Sequence, residues 1–126
     1  MIACWISVAA YMGVIYLVSA LPFRSELFER TQKFHIDWVV HVVEYSILGF
    51  LLARAFRRSM PSLRTGRLWI AVMAVGAFYA ATDEWHQRSV PTRDASVYDA
   101  VADTFGVAWG AWTWMRRQKD SSTNNA

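Results

Sequence analysis

Long apolar segments alternate with short polar ones along the whole chain. Four segments are long and apolar enough to be membrane helices, and they cover residues 2–21, 36–53, 68–82 and 97–115. The first is twenty residues without a charge. At about 1.5 Å of rise per residue it reaches about 30 Å, the thickness of the hydrocarbon core of a bilayer. The pattern predicts a single all-α domain, a membrane bundle of four transmembrane helices, with a flexible tail at 116–126.

The composition agrees with a membrane protein. More than half of the 126 residues are apolar and seven are Trp, which is an unusual load for so short a soluble domain. A cleaved signal peptide ending near Ala20 is the alternative interpretation of the first segment. Against it, no basic residue precedes the segment, and the apolar stretch is longer than the usual ~7–15 residues of a signal peptide.

Positive charges mark one side of the predicted membrane. The formal net charge is +3, but the basic residues cluster in short connections between apolar segments, which argues against nucleic-acid binding. The connection at 54–67 holds five Arg and no acidic residue, so the positive-inside rule predicts that it is cytoplasmic. Three basic residues also follow the fourth segment. Both the N- and C-termini are then predicted to be cytoplasmic.

Polar residues inside two of the apolar segments recur at helical spacing. Those of the second segment are Asp37, His41, Tyr45 and Gly49, and those of the fourth are Asp99, Asp103, Gly106 and Gly110. Each set shares one face of a helix. Because lipid would not satisfy the polar groups, both faces are expected to point into the bundle. The two glycines of the fourth segment form a small-xxx-small pattern, which favours close helix contact.

The predicted topology collects these residues at the outer side of the membrane, where the third segment ends. We predict a polar site there. Its acid/base candidates are Glu84, Asp83 and His41, and its ligand-binding candidates are Arg93, Gln87, Asp99, Asp103, Asp37 and Tyr45.

Single members of this site also have structural alternatives. Asp99 or Ser96 would cap the fourth helix, since both residue types favour helix N-termini. Asp103 would pair with Arg93 or His41, and Arg93 would hold several carboxylates in an ion-pair network.

These residues resemble the motifs of the VanZ-like family of small bacterial membrane proteins. The motifs are Asp37-xxx-His41-xxx-Tyr45-xxx-Gly49 and Asp83-Glu84-xx-Gln87-xxx-Pro91-x-Arg93-xx-Ser96-xx-Asp99-xxx-Asp103-xx-Gly106-xxx-Gly110. They cover about residues 35–112. Trp38 stands where the family usually has Lys, and Asp103 where it often has Asn. The resemblance implies a multi-pass protein of the bacterial cytoplasmic (inner) membrane. It also implies a link to the cell envelope, since the family is named for a protein linked to low-level teicoplanin resistance.

Three functions compete. The first is an envelope protein, in contact with membrane lipids, that alters how a lipoglycopeptide or a lipid-linked cell-wall precursor meets the membrane. The second is a hydrolase or transferase acting on a lipid phosphate or ester at the outer leaflet, with Ser96 or Tyr45 as the candidate nucleophile. The third is a transporter using the aspartates, although charges confined to the outer half leave no continuous path.

No zinc-binding spacing such as HExxH occurs, so no metal is assigned from the sequence. A metal-dependent version of the enzyme would use His41, Glu44, Glu84 and Asp99. The cofactor, if one is used, and the formation of a homo-oligomer stay open.

Overall fold

The computed structural model describes residues 1–21, 36–90 and 96–123, and within these residues it contains helices and no strand. The helices are α1 (Ile2–Ser19), α2 (Ile36–Ser59), α3 (Thr65–Gln87) and α4 (Val97–Thr123). The all-α class and the order of the predicted elements are therefore confirmed.

The helix ends differ from the predicted ones, because helix geometry does not stop where an apolar segment stops. α2 continues through the first arginines to Ser59 and ends shortly before Pro61, a residue that disfavours helix in the residue preceding it. α4 continues to Thr123, into the stretch predicted as a flexible tail, since the Arg, Gln and Lys residues there favour helix. Ser96 caps α4, because its Oγ accepts a hydrogen bond from the backbone N–H of Tyr98 at 3.1 Å.

The closest packing in the bundle is between α2 and α4, and glycines make it possible. A Cβ added at Gly106 would come within 2.6 Å of the backbone oxygen of Val42, and one added at Gly110 would collide with the backbone oxygen of Ser46. From the other side, a Cβ at Gly49 would collide with the backbone of Val107. The small-xxx-small contact predicted for the fourth segment is therefore present, with α2 as its partner.

Polar side chains join neighbouring helices, and the first of these contacts shows that α1 and α2 run antiparallel. Trp5, near the start of α1, donates a hydrogen bond from Nε1 to Ser59 Oγ at the end of α2 (2.8 Å). Tyr79 of α3 donates from its hydroxyl to the backbone oxygen of Met12 (2.6 Å). The helices enclose an apolar core whose largest fully buried apolar side chains are those of Ile15, Leu48, Leu52, Leu68, Val72 and Val107.

Two stretches of the described helices are long and apolar enough to cross a membrane, namely Ile2–Ser19 and Trp38–Ser59. α3 and α4 carry carboxylates near their ends, among them Asp83 and Asp103. These carboxyl groups lower the hydropathy of both helices.

Candidate functional site

A buried group of polar side chains lies at one end of the bundle, where α1 and α3 end and α2 and α4 begin. We call this group the polar cluster, and its members are Ser19, His41, Tyr45, Asp83, Glu84, Gln87 and Asp103. The exposed fraction of every member is at most 6%. Buried polar groups are costly unless they are hydrogen-bonded, so the pairing of each one defines what the site can do.

Asp83 lies at the centre of the first half of the polar cluster. Its Oδ2 accepts hydrogen bonds from Ser19 Oγ (2.9 Å), from Gln87 Nε2 (2.9 Å) and from the Tyr45 hydroxyl (3.4 Å). Gln87 and Asp83 meet because they are one helical turn apart on α3, whereas Ser19 and Tyr45 come from α1 and α2. One carboxylate oxygen thus connects three helices.

His41 and Asp103 form the second half together with Glu84. His41 Nδ1 lies 2.8 Å from Asp103 Oδ1, so an N–H at Nδ1 donates to the carboxylate and orients the imidazole ring. Glu84 is fixed from the other side, because its Oε2 accepts a hydrogen bond from the backbone N–H of Ser96 at 3.1 Å. Three helices again contribute one residue each.

The polar cluster has more acceptor oxygens than donors. Asp83 Oδ1, Glu84 Oε1 and Asp103 Oδ2 are buried, and no hydrogen bond to them occurs within the described part of the chain. An unpaired buried polar atom costs about 1–3 kcal/mol, and more when the group is charged. Within the described residues, these three oxygens therefore have acceptor capacity that no donor uses.

The remaining predicted site residues have different positions. Asp37 lies in the first turn of α2 and Asp99 in the first turn of α4, where Asp99 is half-buried beside the Ser96 cap. Pro91 and Arg93 fall outside the described residues. The structure therefore brings Asp83, Glu84, Gln87, His41, Tyr45 and Asp103 together, and it adds Ser19, which sequence reasoning missed. A single serine near the end of an apolar segment gives no sign of which way it faces.

The structure changes the set of residues that the sequence analysis considered for a metal-dependent enzyme. Among the described residues, the group of His and acidic side chains close enough to share a metal ion is His41, Glu84 and Asp103. It keeps His41 and Glu84 from the sequence-based set, but Asp103 takes the place of Glu44 and Asp99. Periodicity put Asp103 on the correct face of α4, and His41, one of the two partners considered for it from the sequence, is the residue that it meets.

A comparison with known protein families shows which family the chain belongs to. The family model described as VanZ/LLP1 matches residues 6–118, which is nearly the whole length. The chain belongs to the VanZ/LLP1 family. The resemblance seen in the motifs of α2, α3 and α4 is thereby confirmed. No curated protein and no solved structure matches the chain significantly. Together with the two apolar helices, membership of the VanZ/LLP1 family indicates a membrane protein.

Proposed function

We propose that this VanZ/LLP1 protein spans the bacterial cytoplasmic membrane four times, with both termini in the cytoplasm. We further propose that the polar cluster opens toward the cell exterior and binds the polar head of an amphiphilic envelope molecule. That molecule is a lipoglycopeptide or a lipid-linked cell-wall precursor. The observation that carries the proposal is the set of buried, unpaired carboxylate oxygens at one end of the bundle.

Apolar exposure on α3 and α4 supports four spans. Phe78 and Trp85 of α3 are 73% and 77% exposed, and Phe105 of α4 is 58% exposed. Soluble proteins rarely expose apolar surface along whole helices. In a bilayer, by contrast, these side chains would contact lipid while the polar groups stay inside the bundle.

The distribution of basic residues supports the orientation. The arginines of the α2–α3 connection lie at the end of the bundle opposite the polar cluster, and Arg57 fixes that turn by donating to the backbone oxygens of Pro61 (3.2 Å) and Leu63 (2.7 Å). At the same end, the Arg116 guanidinium stacks over Trp112, 4.7 Å from the ring centroid. Under the positive-inside rule this end is cytoplasmic, and the polar cluster then belongs to the outer half of the membrane.

The chemistry of the polar cluster supports a ligand that brings donors. Unpaired carboxylate oxygens accept hydrogen bonds from hydroxyl, amide and ammonium groups. The sugars and peptide parts of glycopeptides and wall precursors are rich in such groups. A bilayer-embedded site reached from the outer leaflet would let the lipid part of the ligand stay in the membrane while its head is bound.

The enzyme alternative comes second, because the two hydroxyls considered as nucleophiles have structural roles. Ser96 Oγ caps α4 through the backbone N–H of Tyr98. The Tyr45 hydroxyl is buried and donates to Asp83. A nucleophile needs a neighbouring general base that takes its proton and space for the substrate. The Tyr45 hydroxyl is fully buried and lacks that space, and the Ser96 hydroxyl already serves as the cap of α4.

Teicoplanin susceptibility tests the proposal. A sensitive Gram-positive host would express wild type, Glu84→Gln or Asp120→Asn at matched membrane abundance. Asp120 is an exposed carboxylate near the end of α4, so its variant controls for the loss of one charge. Compared with the empty host, we expect lower teicoplanin susceptibility in the strains that express wild type or Asp120→Asn. The strain that expresses Glu84→Gln should be as susceptible as the empty host. Equal susceptibility of all three strains and the empty host would contradict a role in lipoglycopeptide handling.

A further inference from the structure

Three side chains of types that bind metal ions meet inside the polar cluster. His41 comes from α2, Glu84 from α3 and Asp103 from α4, and one ligand atom of each lies within 4.8 Å of the other two. All three are buried, with exposed fractions of 6%, 6% and 0%. Since they lie on different helices and far apart in the sequence, their meeting is a property of the fold rather than of a local acidic run.

Each carboxylate is held by the protein through one oxygen and leaves the other without a partner. Asp103 Oδ1 binds His41 Nδ1, and Glu84 Oε2 binds the backbone N–H of Ser96. Asp103 Oδ2 and Glu84 Oε1 are buried and have no hydrogen bond within the described residues. Glu84 thus has the arrangement of a metal-ligating carboxylate, with one oxygen oriented by a hydrogen bond and the other open to an ion. The Nδ1–Oδ1 hydrogen bond joins two of the three side chains, so an ion bound by Nδ1 would replace the proton between them.

The electrostatic environment also favours a cation. Asp83, Glu84 and Asp103 lie together in the polar cluster. Of the Lys and Arg residues that the structure describes, Arg88 alone lies at this end, and its side chain is exposed. Buried carboxylates normally require a paired charge or a metal ion. A divalent cation would neutralise two of these three carboxylates.

We propose that His41, Glu84 and Asp103 bind one divalent first-row metal ion, with Zn²⁺ and Mn²⁺ as the ions that suit one imidazole and two carboxylates. Three protein ligands leave at least one coordination position for an outside molecule. Metal–ligand distances of about 2.0–2.2 Å hold ligand atoms at most about 4 Å apart. The present spread of up to 4.8 Å therefore closes when the ion binds.

Metal binding by purified protein tests the inference. Wild type in detergent would be stripped with a chelator, dialysed against Zn²⁺ or Mn²⁺, and assayed for bound metal by mass spectrometry and for thermal stability. We expect one ion per chain, a higher melting temperature with metal than without, and an affinity at least ten-fold lower for Asp103→Asn and Glu84→Gln. Asp120→Asn, the exposed carboxylate control, should bind like wild type.

Two outcomes would overturn the inference. One is wild-type protein that is folded by circular dichroism and binds neither ion. The other is equal binding by wild type, Asp103→Asn and Glu84→Gln, which would show that the ion sits elsewhere on the surface. The first outcome is measured on wild-type protein alone, so it can contradict the proposal even if one of the variants fails to fold.

The inference uses the residues of the proposed envelope function but does not depend on it. Bound metal with unchanged teicoplanin susceptibility would keep the metal site and reject the proposed function. Altered teicoplanin susceptibility without bound metal would reject the metal site and keep the proposed function.

Discussion

Replacing Gly110 by Ala should destabilise the bundle, because Gly110 allows the backbones of α2 and α4 to touch. A Cβ at this position would collide with the backbone oxygen of Ser46 and come within 2.9 Å of the backbone nitrogen of Phe50. Backbone atoms in the middle of a helix cannot move aside as the end of a flexible side chain can. The added methyl group must therefore push the two helices apart.

The size of the effect follows from two opposing contributions. Overpacking a core by one methyl group costs about 1–3 kcal/mol, and a backbone clash belongs at the upper end of that range. Ala also favours a helix over Gly by about 1 kcal/mol. Gly13 provides a control for the second contribution, since it is helical and a Cβ added there meets nothing within 4 Å. The difference between the two variants therefore isolates the clash, at about 3 kcal/mol.

The free energy of unfolding of both variants can be measured by titrating SDS into detergent micelles and following helix content by circular dichroism. Gly13→Ala should be as stable as wild type or slightly more stable. Gly110→Ala should unfold at clearly lower SDS. If both variants unfold at the same SDS concentration, then α2 and α4 do not pack backbone to backbone, and the position of the polar cluster between them would be wrong as well.

Two further predictions concern the site and the topology. A double-mutant cycle with His41→Ala and Asp103→Asn should give a coupling energy of about 0.5–3 kcal/mol in the SDS titration. The reason is that the two side chains share a buried hydrogen bond of 2.8 Å. If the effects of the two substitutions on the free energy of unfolding are additive, this pairing is contradicted. A reporter fused after Met115 should score as cytoplasmic, and a score on the outer side would overturn the proposed orientation.

Much of the fold could be predicted from the sequence because hydrophobic periodicity determines helices and their faces. The spacing of four between His41, Tyr45 and Gly49 put all three on the buried face of α2, where the structure has them. Likewise, Asp103 and the glycines of α4 share the face that meets α2. These are properties of single helices, and 3.6-residue periodicity is enough to find them.

The contacts between helices could not be predicted in the same way. They depend on how far each helix is rotated and shifted along its neighbour, and this is set by packing such as that of Gly106 against the Val42 backbone oxygen. For this reason the sequence left open whether Asp103 pairs with His41 or with Arg93, and it did not show the contribution of Ser19 from α1. The unpaired oxygens of Glu84 and Asp103 could be found only from the structure, because that requires the positions of the neighbouring hydrogen-bond donors.

The central claim is that α2 and α4 bring His41 and Asp103 together inside the bundle. The most direct measurement is thiol cross-linking in native membranes, with Cys4→Ser to remove the native cysteine and a short bifunctional reagent that fluoresces when both ends react. His41→Cys with Asp103→Cys should become fluorescent. Val43→Cys with Asp103→Cys should not, because Val43 lies on the exposed side of α2. Equal labelling of both pairs, or labelling of the Val43 pair alone, would contradict the structure of the site.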